Sequence, residues 1–293
     1  MSTNYFAVLA SRLGLQFPPM GNKIPNTGVE DGAVTIHDAL SSLLGISDLA
    51  NPEGNSFKII FPLPEFFADQ EYLQEILSKY DQTAQQLLLQ WPQDQQLISL
   101  GGDHSTAYIS LSTVLERFGE DSTCLIMFDS HADLNTPHSS TTGNFHGMWL
   151  RSFFDGFETY TLANKKINPS QLRYVGNLVL DDAEKNYIEN HEIKVYPSHR
   201  ATSESAQEIA SWTRNFAHLH ISFDVDVFAQ HLVSATGTPN PNGFEFEQVS
   251  IFLMAIKNHP SISLDFVEYN PQKEGAKKTE EIIKKVFSTL FDL

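Results

Sequence analysis

Three stretches of this chain end in side chains of metal-ligating type. The longest is Asp129-Ser130-His131-Ala132-Asp133-Leu134-Asn135, entered by the apolar run Cys124-Leu125-Ile126-Met127-Phe128. A short apolar run that meets polar residues reads as a buried strand reaching a surface. In extended chain, Asp129, His131 and Asp133 share one face and aim at one place. Crowded carboxylates repel and are costly to bury, and a bound cation removes that cost. The plainer alternative is a solvated strand end whose acids cap the next helix. Two further stretches favour the cation. Gly101-Gly102-Asp103-His104-Ser105 follows Leu97-Ile98-Ser99-Leu100, and Ser222-Phe223-Asp224-Val225-Asp226 follows Leu219-His220-Ile221. His104, Asp129, His131, Asp133, Asp224 and Asp226 make two imidazoles and four carboxylates. That is too many for one small cation and suits two. Oxygen-rich donors with imidazole and no thiolate favour two Mn2+, with other divalent transition metals open. Two such ions side by side lower the pKa of a shared water.

These groups are positioned by strands that alternate with helices. Strands are expected at Phe6–Ala10, Phe57–Phe61, Leu97–Leu100, Cys124–Phe128, Leu172–Gly176, Ile193–Tyr196, Leu219–Asp226 and Ile262–Phe266. Helices are expected at Thr35–Leu44, Glu71–Leu89, Thr106–Phe118, Asp182–Asn190, Ser203–Phe216, Phe246–Asn258 and Thr279–Phe291, with a short one at Gly147–Phe154. The long helix before Pro92 has Leu73, Ile76, Leu77 and Tyr80 at helical spacing. Pro18 to Gly32 is rich in Pro and Gly and reads as loop. This alternation implies an α/β fold, a mostly parallel sheet of about eight strands with helices on both faces. The ligand-bearing segments then lie at the carboxyl ends of strands, where open α/β sheets bind ligands. No repeat or interdomain linker interrupts residues 1–293, which read as a single domain.

The ordered Gly-Gly-Asp-His, Asp-x-His-x-Asp and Ser-x-Asp-x-Asp segments resemble those of the ureohydrolases, the arginase and agmatinase family. Asp133-Leu134-Asn135-Thr136-Pro137, followed by Thr142-Gly143-Asn144-Phe145-His146-Gly147, is most similar to arginase proper. The resemblance implies a three-layer α/β/α domain. It also implies hydrolysis of a small-molecule guanidino substrate, arginine to ornithine and urea. Agmatine, guanidinobutyrate and formiminoglutamate are the alternatives, and a metal-binding member without turnover is a further one. The implied roles are proton transfer by Asp133 and His146, and pairing of Glu268 with the guanidinium. Asn135, Thr142, Asn144 and an acid, Asp182 or its neighbour Asp181, would hold the amino-acid head. Thr238 matches a residue beside the metals.

Departures from the pattern are Ser130 for the usual alanine, Ala229-Gln230 where Asp-Pro is common, and Tyr269 beside Glu268. A formal charge of −17 argues against nucleic-acid or anionic-membrane partners. No apolar run has transmembrane length, and no basic segment leads into an apolar signal, so a cytoplasmic location is expected. Homo-oligomerisation is left open. Cys124, the one cysteine, reads as a small buried hydrophobe. The motif selects His131 and passes over His138. His131→Ala is therefore expected to abolish urea release and His138→Ala to leave most of it. Equal losses in a urea assay would contradict this reading of the loop.

Overall fold

A computed structural model describes residues 4–15, 26–44, 56–61, 69–155, 157 and 165–291. Eight strands form one parallel sheet: β1 (Asn4–Ala10), β2 (Ser56–Ile60), β3 (Gln96–Gly101), β4 (Thr123–Phe128), β5 (Leu172–Val175), β6 (Lys194–Tyr196), β7 (His218–Asp224) and β8 (Ile262–Val267). Their spatial order is β2-β1-β3-β8-β7-β4-β5-β6. The helices are α1 (Gly32–Leu44), α2 (Asp69–Gln90), α3 (Ala107–Phe118), α4 (Asp182–Asn190), α5 (Ser203–Thr213), α6 (Phe246–Ile256) and α7 (Ala276–Phe291). The expected three-layer α/β/α architecture is therefore present. Of the loop expected from Pro18 to Gly32, residues 18–25 lie outside the described residues, and Val29–Asp31 form a 3-10 turn that leads into α1.

Alternation along each strand divides the core between the two faces of the sheet. On one face Tyr5, Ala7, Leu9, Leu97, Leu125, Met127, Leu172 and Tyr174 pack with α2, α3 and α4. On the other, Phe6, Val8, Ile98, Ile126, Ile221, Phe223, Leu264 and Phe266 pack with α1, α5, α6 and α7. Cys124 is fully buried in that second cluster, and burial pushes its thiol pKa up. Two expected helices differ most from their pattern. α5 stops at Thr213, whose hydroxyl donates to the Ala210 carbonyl. In place of the short helix expected at Gly147–Phe154 stands a 3-10 turn, Leu150–Phe153, preceded by another at Phe145–Gly147.

The strand order sets β3, β8, β7 and β4 side by side. Their carboxyl ends deliver the loops that begin at His104, Glu268, Asp224 and Asp129. Close backbone packing brings the first two together. The Gly102 N–H donates to the Leu9 carbonyl, and its carbonyl accepts from the Glu268 N–H at 2.8 Å. A Cβ at Gly102 would lie 1.8 Å from the Ser11 carbonyl oxygen, so the glycine is required by approach.

Behind the site, Phe223 stacks between Phe128 and Phe266, with ring centroids 5.1 and 5.0 Å away. Phe223→Ala is expected to cost about 3–5 kcal/mol in denaturant unfolding, because the cavity lies between three strands. A cost below about 1 kcal/mol would show that the neighbouring rings collapse into the space.

Candidate dinuclear metal centre

All six expected ligands meet at the carboxyl edge of the central strands. His104 follows β3 and is buried. Its Nδ1 lies 2.9 Å from Asp133 Oδ2, 3.1 Å from Asp129 Oδ2 and 3.4 Å from Asp224 Oδ2. His131 Nδ1 lies 3.1 Å from Asp226 Oδ2 and 3.6 Å from Asp129 Oδ1. Two ligand groups result, His104–Asp129–Asp133 and Asp129–His131–Asp226, and Asp129 belongs to both.

The backbone reaches this arrangement by a route other than extended strand. β4 ends at Phe128, before any ligand, and Asp133 sits at φ 53°. Asp224 is the last residue of β7, and Asp226 lies in the 3-10 turn Val225–Val227. Shared sidedness thus comes from turns in which the acids accept backbone hydrogen bonds. The His131 N–H donates to Asp129 Oδ1 at 2.7 Å, and the Asp226 N–H donates to Asp224 Oδ1 at 2.8 Å. Asn26, Asp133 and Glu268 occupy the left-handed region, at φ 50°, 53° and 67°. Non-glycine residues there cost about 1–3 kcal/mol each and persist where surroundings over-determine them.

The donors fit divalent cations. His104 Nδ1 and Asp129 Oδ2 are buried and make no hydrogen bond among the described residues. Ser222 Oγ donates its hydrogen to Asp265 Oδ1 at 2.6 Å. His104 Nε2, 2.9 Å from Ser222 Oγ, must therefore be the N–H, which leaves Nδ1 as a free lone pair. The charges point the same way. Burial together with Asp226 and Asp129 raises the Asp224 pKa well above the usual carboxylate value. Burial alone would lower the His104 and His131 pKa values, yet the neighbouring aspartates raise both. Like charges in this number call for positive charge between them.

Further side chains brace the ligands. Trp149 Nε1–H donates to Asp133 Oδ2 at 2.8 Å, and Thr238 Oγ1 donates to Asp226 Oδ2 at 2.9 Å. Ser130, the departure from alanine, ties two ligand loops. Its hydroxyl donates to the Asp226 carbonyl and its N–H to Asp226 Oδ1. Tyr269, the departure beside Glu268, is buried in the second core cluster, and its hydroxyl donates to the Ala276 carbonyl. Nothing local in the sequence singled out Trp149 or Asn26. The signal for Trp149 is a buried indole N–H, which must find an acceptor.

A cleft of about 230 Å³ opens over the ligands, lined by His104, His131, Asp133, Asn135, His146, Val179, Asp181, Glu184, Asp224, Thr238 and Glu268. Glu268 is buried and held on both oxygens. Oε1 accepts the His104 N–H at 2.9 Å and lies 3.4 Å from His146 Nδ1, and Oε2 accepts from Asn26 Nδ2 at 2.8 Å. Burial lowers the His146 pKa, but the Glu268 hydrogen bond and charge raise it overall. Of the two acids left open for the substrate head, Asp182 and Asp181, only Asp181 lines the cleft. Asp182 opens the first turn of α4 outside the cleft, whereas Asp181, its N-cap, accepts from Asn135 Nδ2 at 2.9 Å. Thr142 and Asn144 do not line it either. Thr142 is exposed, and its hydroxyl accepts the Asn144 N–H in a turn around Gly143 at φ 70°. His138 is exposed and outside the cleft.

The chain belongs to the arginase family, whose model matches residues 18–291. It is 30% identical over 212 residues to a non-hepatic arginase of Xenopus laevis, covering 66% of this chain and 58% of that one. The match thus spans about three fifths of the length of such curated relatives. Among solved structures it resembles Entamoeba histolytica arginase in complex with L-ornithine, with TM-score 0.84 and 23% identity over 100% of both chains. A Bacillus subtilis formimidoylglutamase has TM-score 0.71 and 16% identity over 100% of this chain and 87% of that one. No helix among the described residues is long and apolar enough to cross a membrane.

Glu184 reaches from α4 to accept the Leu134 and Asp181 N–H groups, and burial pushes its pKa from 4.5 up to about 7. A raised folded pKa means that its stability contribution is full below the unfolded value and is lost as pH rises to about 7. The loss is at most about 3 kcal/mol. Glu184→Gln is therefore expected to gain stability relative to the wild type between pH 4.5 and 7. Parallel stability–pH curves in chemical denaturation would contradict this.

Proposed function

We propose that this chain hydrolyses a guanidino compound, with arginine, giving ornithine and urea, as the leading substrate. The observation that carries the reading is the pairing of Glu268 with the ligand set across one cleft. Two divalent ions, Mn2+ by donor type, would be held by His104, Asp129, His131, Asp133, Asp224 and Asp226, and when bound would make water nucleophilic near neutral pH. The chain's own residues do the rest. Glu268, fixed by the His104 N–H and by Asn26, presents a carboxylate to a planar guanidinium. His146 stands at the cleft with Nδ1 near Glu268, and its titratable imidazole suits delivery of a proton to the departing amine. Asp133, whose Oδ2 accepts from Trp149, would take up and pass on a proton beside the ligand set.

The far wall of the cleft bears on the substrate head. Asp181 and Glu184 are acids and suit an ammonium, which disfavours guanidinobutyrate. Arginine and agmatine both carry that ammonium. Only arginine adds a carboxylate, and with Thr142 and Asn144 off the wall, Asn135 is its main partner. That placement makes agmatine the second reading.

The test is product release by the Mn2+-loaded chain across arginine, agmatine, guanidinobutyrate and formiminoglutamate. Arginine is expected to exceed agmatine about 10- to 100-fold in kcat/KM, since one charged hydrogen bond is worth roughly 1.5–3 kcal/mol. Asp181→Asn should lower both alike. A faster agmatine reaction would replace the substrate and keep the hydrolase. No turnover of any of these compounds would overturn the hydrolase reading.

A further inference from the structure

Central strands of a parallel sheet are normally apolar on both faces. On β7 and β8 one face is apolar and the other, Val267 at the end of β8 excepted, is polar, and none of their residues joins the core beneath α2 and α3. In its place stand His218, His220 and Ser222 on β7, and Ser263 and Asp265 on β8, each at most 1% exposed. Register sets His220 beside Ser263 and Ser222 beside Asp265.

These groups form one unbroken row. Ser261 Oγ lies 2.7 Å from His218 Nδ1, and His218 Nε2 lies 2.7 Å from Ser263 Oγ. Ser263 Oγ lies 2.7 Å from His220 Nδ1, and His220 Nε2 lies 2.8 Å from Asp265 Oδ2. Asp265 Oδ1 then accepts from Ser222, which accepts from the ligand His104. The far end, Ser261, is partly exposed at the amino edge of the sheet. From His218 to Ser222 the row covers roughly 13 Å of strand. Apolar side chains would hold these strands as well at less desolvation cost, so the row calls for a use.

The hydrogens can be placed in two complete ways. In the first, both histidines are neutral and every donor points toward Asp265: Ser261 to His218 Nδ1, His218 Nε2 to Ser263, Ser263 to His220 Nδ1, and His220 Nε2 to Asp265. In the second, His220 carries hydrogens on both nitrogens and the bonds beyond it are reversed, with His220 Nδ1 donating to Ser263, Ser263 to His218 Nε2, and His218 Nδ1 to Ser261. The two differ by one proton.

We propose that this row is a proton relay joining solvent at the amino edge of the sheet to the His220–Asp265 pair behind the metal centre. A proton from water enters at Ser261 and each link passes on its own hydrogen. His218 Nδ1 gains a hydrogen as Nε2 gives one to Ser263, whose former hydrogen moves to His220 Nδ1. The row gains one proton, and no bond other than O–H and N–H is made or broken. His218 transmits without holding the charge, since burial, then His220 and His259, keep its pKa well below the usual value. The groups that face the row are few. β4 sets Leu125 beside His220, α3 stacks Phe118 on His218 at 3.8 Å, and β3 sets Ser99 beside Asp265. The ionisable groups of α3 are engaged elsewhere, Tyr108 with Asp81, Glu116 with Lys165 and Arg117 with carbonyls of residues 88, 91 and 92. His259, beyond Ser261, bonds to the carbonyls of Ser261, Thr213 and Phe216. A proton on His220 offsets the Asp265 charge that draws on Ser222. That consequence for His104 rests on the metal reading, whereas the relay does not.

The test is nitrogen NMR of the full chain, labelled at histidine and loaded with diamagnetic Zn2+, across pH. Signals are assigned from His218→Gln and His220→Gln. The relay predicts one step in which His220 gains its second N–H while His218 moves its hydrogen from Nε2 to Nδ1. Ser263→Ala should abolish the His218 move and Ser263→Thr should restore it. A row that only fills the sheet would keep one His218 tautomer throughout. That outcome, or a His218 move that survives in Ser263→Ala, overturns the proposal. No substrate is involved, so the result is independent of whether the hydrolase reading holds.

Discussion

Four carboxylates and two imidazoles converge at the carboxyl edge of β3, β4 and β7, and their mutual charge is the constraint that the surrounding structure answers. Asp129 is fully buried with Oδ2 unbonded, a few ångströms from an equally unbonded His104 nitrogen. Such a pair is unfavourable as bare charge and favourable as a pair of donors to a cation. The neighbourhood holds it open through Trp149 on Asp133, Thr238 on Asp226 and Ser222 on His104. Each removes a rotamer that would let the acids turn away from one another.

The same constraint accounts for the local strain. Asp133 and Glu268 sit in left-handed backbone, one in the candidate ligand set and one across the cleft. Asn26, also left-handed, reaches over to fix Glu268 and is itself held by Asn270 Nδ2. Gly102 supplies the close backbone approach that seats the His104 and Glu268 loops together. Strain at Asp133 and Glu268 is tolerable because β4 and β8, which lead into them, are buried along their whole length.

Much of this was legible in the sequence. Apolar runs meeting Asp and His marked the strand ends, and the six expected side chains converge at one edge of the sheet. α4 begins at Asp182 and ends at Asn190, as its pattern predicted, since Asp at a helix start is a local signal. What stayed hidden depends on distant partners. Period-2 spacing suggested extended ligand strands, but turns do that work, because side chain to backbone bonds at Asp129 and Asp224 compete with strand geometry. The choice between Asp181 and Asp182 turns on which residue precedes the first turn of α4. The polar row on β7 and β8 was visible only as single histidines and serines. Its continuity needs the register of two strands that lie more than forty residues apart in the chain.

The central claim is that this edge of the sheet holds a pair of cations sharing Asp129. The most direct measurement is metal content and Mn2+ titration of the full chain, wild type against Asp129→Asn and Thr238→Val. The account predicts two ions per wild-type chain, one for each ligand group. Asp129→Asn should weaken both, and Thr238→Val should weaken only the ion beside Asp226. A well-folded wild-type chain that saturates at one ion, or an Asp129→Asn chain that binds two as tightly as the wild type, would contradict it.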